Sequence, residues 1–291
     1  METMPFDIAV SAPAKVNIGL AVLPKAAGEE YHRIESIFQT IDVCDELFVR
    51  RTGKNGVCSV RCDAMALPQS NTITKAYERF RALSGIDAGF EVVLKKNIPS
   101  GGGLGGGSSD AASFVKAIAT LLGFELTDSF ADSVAEKVGS DVFFFLRNGL
   151  REASLVSGRG EIVKKINARH DFHFVLIFPE VFSSTKEAYA LLDTNGAASM
   201  KNQCPLFDEY ESIYSSSVEN WTFINSFTSV LTEKYPAIRH ALQDLKNQGA
   251  LWADMSGSGA TVFGIFESSD SAAGALALLR KKWRFCYYSR S

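Results

Sequence analysis

The chain has 291 residues, of which 46% are hydrophobic and 22% charged, and its formal net charge is −3. This length is enough for two domains, and the balance of apolar and charged residues is typical of a globular protein. The composition excludes extended disorder and a general nucleic-acid-binding protein, which would carry a net basic face. It leaves room for an anionic small molecule bound by a local group of N–H donors.

Membrane and secretory segments are not predicted. The longest apolar runs are Val142–Leu146 and Phe172–Phe178, far shorter than the about 20 residues of a membrane-spanning helix. The first ten residues have neither the basic segment nor the apolar segment of a signal peptide. Five scattered cysteines without a C-x-x-C pair indicate reduced thiols and no zinc site. We therefore expect a cytoplasmic protein without a membrane partner.

The apolar spacing predicts strands and helices in an irregular order. The predicted strands, in chain order, cover Ile8–Leu23, Ser36–Val49, Val57–Cys62, Phe90–Leu94, Arg151–Val156, Glu161–Ile166, Phe172–Phe178, Leu251–Met255 and Ala260–Phe266. The predicted helices cover Asn71–Leu83, Ser109–Leu122, Asp128–Val138, Thr185–Leu192, Asn225–Lys234, Pro236–Asn247 and Ala272–Trp283.

This order predicts an α+β fold, because strands and helices do not alternate as a doubly wound sheet requires. The polar stretch Lys164–Asp171 places the expected boundary between one domain over residues 1–165 and a second over residues 166–291. Residues 193–220 are polar and are expected to be rich in loops.

A glycine segment precedes the best-defined helix: six of the seven residues in Gly101–Gly107 are glycine. Glycines lose much conformational entropy on folding, so they are expected where the backbone approaches a ligand closely. Exposed N–H groups and the positive end of the next helix suit a polyphosphate. Ser108, Ser109 and Asp110 are N-cap residue types and predict that the helix begins there. The predicted phosphate-binding residues are Pro99, Ser100, Gly101, Gly102, Gly103, Leu104, Gly105, Gly106, Gly107, Ser108 and Ser109.

Other interpretations of this segment are weaker. A flexible linker does not usually lie between a strand and a capped helix. No Lys follows the glycines, so a Walker A loop is excluded. Gly101, Gly103 and Gly106 match the Rossmann pattern G-x-G-x-x-G, but Glu125 follows a helix and not a second strand.

Three further features interrupt apolar segments. The segment Ser256–Gly259 joins two predicted strands, either as a simple hairpin turn or as a second source of backbone N–H groups. Asp141 begins an apolar run, and Lys15 interrupts an apolar strand. A buried carboxylate is costly unless it is paired, and a nearby Lys would keep it ionised, although a solvated loop Asp is the alternative. His32 taken alone is typical of a surface histidine.

Together these residues resemble the GHMP kinase superfamily, whose members include homoserine, mevalonate and galactose kinases. The resemblance lies in Pro13–Asn17, Pro99–Ala112 and Ser256–Thr261, in that order. It implies ATP and Mg²⁺ as cofactors, an N-terminal domain like ribosomal protein S5 domain 2 and a ferredoxin-like C-terminal domain. The members that the chain resembles most phosphorylate a small-molecule alcohol linked to cytidine diphosphate. Tyr31–His32 and Gly139–Asp141 extend this similarity.

The resemblance also implies roles for individual residues. Asp141 would take the proton from the substrate hydroxyl, and Lys15 would hold that hydroxyl and the incoming phosphoryl group. Asn71 and Lys96 are candidates for the adenine pocket, while the Mg²⁺ ligands stay unassigned. A monomer or weak homodimer is expected. The implied substrate-binding residues are Asn17, Tyr31, His32, Tyr189, Gly257, Ser258 and Gly259.

Two alternative functions stay open. A related kinase could act on another alcohol, such as homoserine or mevalonate, but Tyr31, His32 and Tyr189 favour a flat base between aromatic rings. A nucleotide-binding protein without catalytic activity could share the fold, but Lys15 and Asp141 favour an enzyme.

Overall fold

The first two strands, β1 (Ile8–Val22) and β2 (Ile34–Thr52), pair with each other and are long for a globular protein. The structure, a computed structural model, describes residues 6–26, 28–62, 64–195 and 203–291. The chain divides into two units, and both long strands contribute residues to each. Unit 1 comprises Met1–Ala14, Val43–Ile98 and Gly105–Gly149, and unit 2 comprises Lys15–Asp42, Pro99–Leu104 and Leu150–Ser291.

Unit 1 contains a sheet built on the second half of β2. This half pairs antiparallel with β4 (Gly89–Lys95), from Glu46 opposite Lys95 to Thr52 opposite Gly89. Strand β4 also pairs in parallel with β3 (Cys58–Cys62). Its valines and leucine are buried, as a strand between two neighbours requires.

In unit 1 the described residues form the helices α1 (Thr72–Ser84), α2 (Gly106–Leu122), α3 (Asp128–Val138) and α4 (Ser140–Arg147). The predicted start of α1 is confirmed, because the Asn71 side chain accepts a hydrogen bond from the Thr74 amide. Helix α2 overlaps the predicted helix Ser109–Leu122 and buries an apolar face with Phe114, Val115 and Ile118.

Unit 2 holds the first half of β2 and two further strands. Strands β5 (Ala153–Gly158) and β6 (Ile162–Ile166) correspond to two predicted strands and pair with each other antiparallel. Strand β5 also pairs with β2, from Ile34 opposite Gly158 to Gln39 opposite Ala153. The unit therefore includes the part of β2 that follows the loop with His32.

A second, fully antiparallel sheet completes unit 2, in the order β10-β7-β9-β8. Its strands are β7 (His173–Phe178), β8 (Trp252–Met255), β9 (Val262–Phe266) and β10 (Phe285–Arg290). The helices are α5 (Thr185–Asn195), α6 (Tyr210–Ser215), α7 (Ser226–Lys234), α8 (Pro236–Asn247) and α9 (Ser269–Leu279). Apolar side chains of this sheet and of α5, α7, α8 and α9 form one buried core. The mixture of sheets and helices confirms the α+β class.

Some elements differ from the prediction. The apolar run Val142–Leu146 forms helix α4, because one short apolar run does not distinguish a strand from a buried helix. Strand β10 was not predicted. Within the polar residues 193–220, the described part includes α6 and two short 3₁₀ helices, Phe207–Glu209 and Val218–Asn220, while residues 196–202 lie outside the described residues.

Candidate active site

The glycine segment leads directly into α2. Gly101, Gly103 and Gly105 have positive φ angles of 71°, 76° and 71°, a conformation that side chains disfavour. Gly105 is the N-cap residue of α2, and no side chain accepts a hydrogen bond there. A helix start without a side-chain cap offers its N–H groups and its positive dipole end to an anion. This end of α2 is therefore suited to a phosphate group.

The predicted N-cap of α2 is wrong. The helix begins at Gly106, so Ser108, Ser109 and Asp110 lie inside its first turns and do not cap it. The backbone N–H groups of Ser108 and Ser109 donate to the carbonyl of Gly105, at 3.0 and 2.9 Å. Positive φ at Gly105, which only the structure shows, moves the helix start toward the glycines.

The first half of the glycine segment contacts the Ser256–Gly259 loop, and both lie in unit 2. Ser256 Oγ donates to the Gly103 carbonyl at 2.9 Å, and the Thr261 amide donates to the Gly102 carbonyl at 3.1 Å. A Cβ on Gly103 would lie 2.1 Å from the Ser256 carbonyl oxygen. The contact therefore requires glycine, and the Ser256–Gly259 loop is more than a hairpin turn.

Lys15 and Asn17 lie beside this contact, on the unit 2 part of β1. The backbone N–H of Asn17 donates to Ser256 Oγ at 3.3 Å, and the backbone N–H of Lys15 donates to the Leu104 carbonyl at 3.0 Å. The buried Lys15 ammonium donates to Asn17 Oδ1 at 2.5 Å and lies 4.6 Å from the centroid of the Phe38 ring. An oxygen acceptor and an aromatic face stabilise a cation that would otherwise be costly to bury.

Two residues that support the Ser256–Gly259 loop were not predicted. The Asn225 side chain donates to the carbonyls of Met255 and Gly257, at 2.7 and 2.8 Å. The Asp254 carboxylate accepts hydrogen bonds from the backbone N–H of Asn225 at 2.7 Å and from Thr228 Oγ1 at 2.5 Å. Burial raises the pKa of Asp254 to about 6, although these hydrogen bonds oppose the shift. Asn225 is an N-cap residue of α7, so its second role could not be read from the local sequence.

In unit 1 the start of α2 is next to the start of α1. A Cβ on Gly107 would lie 3.5 Å from Thr72 Oγ1, directly after the N-cap residue Asn71. Lys96 donates to Asp110 Oδ2 at 2.9 Å and also to Asp45. Burial raises the pKa of Asp110 to about 7, with the Lys96 ammonium acting in the opposite direction. The predicted residues Asn71, Lys96 and Ser108–Asp110 therefore lie around one helix end.

Asp141 lies in the first turn of α4, after the N-cap residue Gly139, and is partly buried. A carboxylate in the first turn interacts favourably with the helix dipole. Helix α4 packs against α2. Asp141 therefore lies on a regular helix, and the alternative prediction of a solvated loop residue is wrong.

His32 and Tyr189 contact each other in unit 2. Their rings stack with centroids 5.2 Å apart and an interplanar angle of 19°. His32 Nδ1 lies 2.7 Å from the Leu23 carbonyl oxygen, and Nε2 lies 2.8 Å from Asp193 Oδ1. The side chain of His32 is 4% exposed, so it is no surface histidine. Tyr31 is 56% exposed, and the Arg159 guanidinium lies 5.4 Å from the centroid of its ring.

Two absences concern only the residues that the structure describes. Among them, no three His, Cys, Asp or Glu side chains come together as a metal-binding group. None of the helices over the described ranges is long and apolar enough to cross a bilayer.

Comparison with known proteins identifies the family. The family model of the GHMP kinases N terminal domain matches residues 71–149, and that of the GHMP kinases C terminal domain matches residues 210–284. A 4-diphosphocytidyl-2-C-methyl-D-erythritol kinase of Treponema pallidum is 35% identical over 290 residues, which cover 96% of this chain and 97% of that protein.

Two solved structures extend the comparison. The crystal structure of a 4-(cytidine 5'-diphospho)-2C-methyl-D-erythritol kinase superposes with a TM-score of 0.82 at 26% identity, covering 97% of this chain and 98% of that one. The homoserine kinase of Cytophaga hutchinsonii superposes with a TM-score of 0.72 at 21% identity, covering 99% and 96%, and shows a shared fold. The resemblance predicted from the motifs is confirmed, and the chain belongs to the GHMP kinase family.

Proposed function

We propose that this GHMP kinase transfers the γ-phosphoryl group of ATP to the 2-hydroxyl of 4-diphosphocytidyl-2-C-methyl-D-erythritol, giving the 2-phosphate and ADP. The reaction belongs to the non-mevalonate route to isoprenoid precursors. The substrate is supported by the relative from Treponema pallidum, which carries this name and matches nearly the whole chain. The structural observation that carries the proposal is the start of α2 without a side-chain cap, at the end of the glycine segment.

ATP phosphates bind at this helix start. The residues from Pro99 to Ser109 supply backbone N–H groups and three hydroxyls, and the helix dipole favours negative charge there. Asn71 and Lys96 lie beside the same helix end and are proposed to contact the nucleotide. Because the contact of Gly103 with Ser256 fixes the first half of the segment, fewer backbone conformations are lost on binding.

Mg²⁺ fits the first turns of α2. Ser109 Oγ and Asp110 Oδ1 are buried polar oxygens without a hydrogen-bond partner among the described residues. Mg²⁺ prefers such oxygen ligands and usually takes one or two from the protein, together with substrate phosphates. Ser109 and Asp110 are the side chains that would hold it, and the ion would neutralise charge on the phosphate oxygens.

Lys15 and Asp141 are proposed as the catalytic residues. Asp141 orients the substrate hydroxyl and takes its proton. Lys15, whose ammonium Asn17 and Phe38 hold in place, stabilises the charge of the transferred phosphoryl group. Phosphoryl transfer passes through a loose transition state, so positioning and charge neutralisation outweigh strong base catalysis.

The alcohol substrate is proposed to bind at unit 2 residues. His32 and Tyr189 recognise the cytosine ring together with Tyr31, because stacked rings and a polar imidazole edge suit a flat, polar base. Asn17 and the Gly257–Gly259 backbone place the hydroxyls of the erythritol part. Asp193 also contacts His32, so the recognition group includes a carboxylate that the sequence did not predict.

The substrate proposal is tested by measuring ADP release from ATP and Mg²⁺ with three acceptors. We expect turnover with 4-diphosphocytidyl-2-C-methyl-D-erythritol and none with homoserine or mevalonate. ADP release with homoserine or mevalonate alone would instead assign another alcohol substrate. ATP binding without turnover on any acceptor would contradict the proposed reaction.

The role of Asp141 is tested by Asp141→Asn, which keeps the size of the side chain and removes its charge. We expect kcat to fall by ~10²–10⁴-fold, the usual contribution of a general acid or base, while ATP still binds. Asp132→Asn is the matched control, because Asp132 pairs with Arg147 at the surface of the same unit. An equal loss in both variants would argue against a catalytic Asp141.

A further inference from the structure

Three charged side chains, those of Asp45, Lys96 and Asp110, are buried together in unit 1. The exposed fractions of the side chains are 0%, 10% and 4%. Burial of charges is costly, and replacing buried ion pairs by apolar residues is often neutral or stabilising. Stability alone therefore does not explain this group. Its position next to the glycine segment offers another explanation.

Asp45 lies on β2 and binds the residues that lead into the glycine segment. Its Oδ1 atom accepts hydrogen bonds from the backbone amides of Asn97 and Ile98, at 2.6 and 2.9 Å. The Asn97 side chain also donates to the Cys44 carbonyl, at 2.9 Å. Two amides on one carboxylate oxygen fix the direction of the chain just before Pro99.

Lys96 connects Asp45 to α2, where the glycine segment ends. Its ammonium donates to the second oxygen of Asp45 and to Asp110 Oδ2, the latter at 2.9 Å. A Cβ on Gly106, the first residue of α2, would lie 3.2 Å from the Lys96 nitrogen. The same ammonium thus binds the carboxylate of β2 and the carboxylate of α2, and it lies next to the first helical glycine.

We propose that Asp45 is a positioning residue for nucleotide binding, which acts through Lys96 and through the amides of Asn97 and Ile98. This inference rests on the proposed binding of ATP at the glycine segment. A segment of six glycines has many conformations, and holding its entry residues and the start of α2 in unit 1 reduces the entropy lost when ATP binds. Asp45 does not itself need to contact ATP.

The test is the dissociation constant of ATP, measured by calorimetry on the full chain with and without Asp45→Asn. Asn keeps the shape but removes the charge that holds the Lys96 ammonium. We expect ATP binding to weaken about tenfold, which corresponds to ~1.4 kcal/mol. The KM for the alcohol substrate should not change, which separates positioning of ATP from a general loss of structure.

Glu91→Gln is the matched control. Glu91 pairs with Arg50 between β4 and β2 of the same unit, within the sheet. Both variants remove one carboxylate from one ion pair, so a general effect of lost stability would appear in both. Unchanged ATP binding in Glu91→Gln and weaker binding in Asp45→Asn supports the proposal.

Lys96→Met provides a second variant, which is measured alone if Asp45→Asn does not fold, and it should weaken ATP binding to a similar extent. Where both single variants fold, the double variant should lose less than the sum of the two, because the residues act as one group. Wild-type affinity for ATP in folded Asp45→Asn overturns the inference and leaves the proposed function intact. Wild-type affinity in Lys96→Met overturns the inference and also removes Lys96 from the proposed nucleotide contacts. A wild-type protein that does not bind ATP overturns the proposed function itself.

Discussion

The two halves of the glycine segment are held by different interactions. In unit 2, Gly102 and Gly103 form neutral hydrogen bonds with Thr261 and Ser256, at contact distances that exclude a Cβ. In unit 1, the start of α2 lies on buried charges, and a Cβ on Gly107 would meet nothing closer than 3.5 Å. The first half is fixed by close backbone contact, whereas the second is fixed by electrostatic interactions and has room for a Cβ at Gly107.

This difference indicates a division of roles among the glycines. Where backbone meets backbone, glycine is required by the fold of unit 2. At the start of a helix that has no side-chain cap, glycine keeps the N–H groups accessible to an anion. The variants below test this division, from the largest expected effect on stability to the smallest.

Gly103→Ala should have the largest effect. Its Cβ would lie 2.1 Å from the Ser256 carbonyl oxygen, and its φ of 76° disfavours any side chain. Steric overlap and backbone strain together should lower the free energy of unfolding by about 4 kcal/mol or more. Urea denaturation measures this change. A stability equal to that of the wild type would show that the contact with Ser256 is not tight.

Asp254→Asn should change how the free energy of unfolding depends on pH, because it removes the buried carboxylate that supports the Ser256–Gly259 loop. The pKa of Asp254 is raised from 3.8 to about 6, so the folded state keeps a proton that the unfolded state has already released. The wild type should therefore lose stability as the pH rises from about 4 to 6, by about 3 kcal/mol relative to Asp254→Asn. Above that range the difference should stay constant.

Urea denaturation at a series of pH values checks this prediction. The pH dependence is the decisive result, because Asn also disturbs the hydrogen bonds with Asn225 and Thr228 at every pH. Parallel stability curves for the two proteins between pH 4 and 7 would contradict a raised pKa.

Gly107→Ala should have the smallest effect on stability, and it should stabilise the protein instead of destabilising it. The residue is exposed in the first turn of α2, and its Cβ would be in ordinary contact with Thr72. Alanine in a helix is more favourable than glycine by about 0.5–1 kcal/mol, so thermal unfolding should shift upward. Destabilisation here would mean that both halves of the segment are closely packed.

Local patterns predicted most of the fold. The spacing of Ile73, Ala76, Tyr77 and Phe80 gave α1 correctly, and the glycine segment marked the start of α2 within three residues. Strand β10 and helix α4 were missed, because a short apolar segment takes its conformation from its tertiary neighbours.

The sequence was less informative about the residues that support the candidate site. Asp45 is 51 residues from Lys96, and Asn225 is 32 residues from the Gly257 carbonyl that it holds. Hydrogen bonds over such separations leave no local pattern. Lys15 and Asp141 could be proposed because each places a charge in an apolar segment. The contact between the glycine segment and the Ser256–Gly259 loop could be identified only from the structure.

The central claim is phosphoryl transfer from ATP to the cytidine-linked alcohol. The most direct measurement follows the label from ATP labelled at the γ-phosphorus, with Mg²⁺ and 4-diphosphocytidyl-2-C-methyl-D-erythritol. We predict that the label moves to the alcohol as one phosphate monoester for each ADP formed. Label that remains in ATP, or that appears only as inorganic phosphate, would contradict the assignment of this chain as a kinase of that substrate.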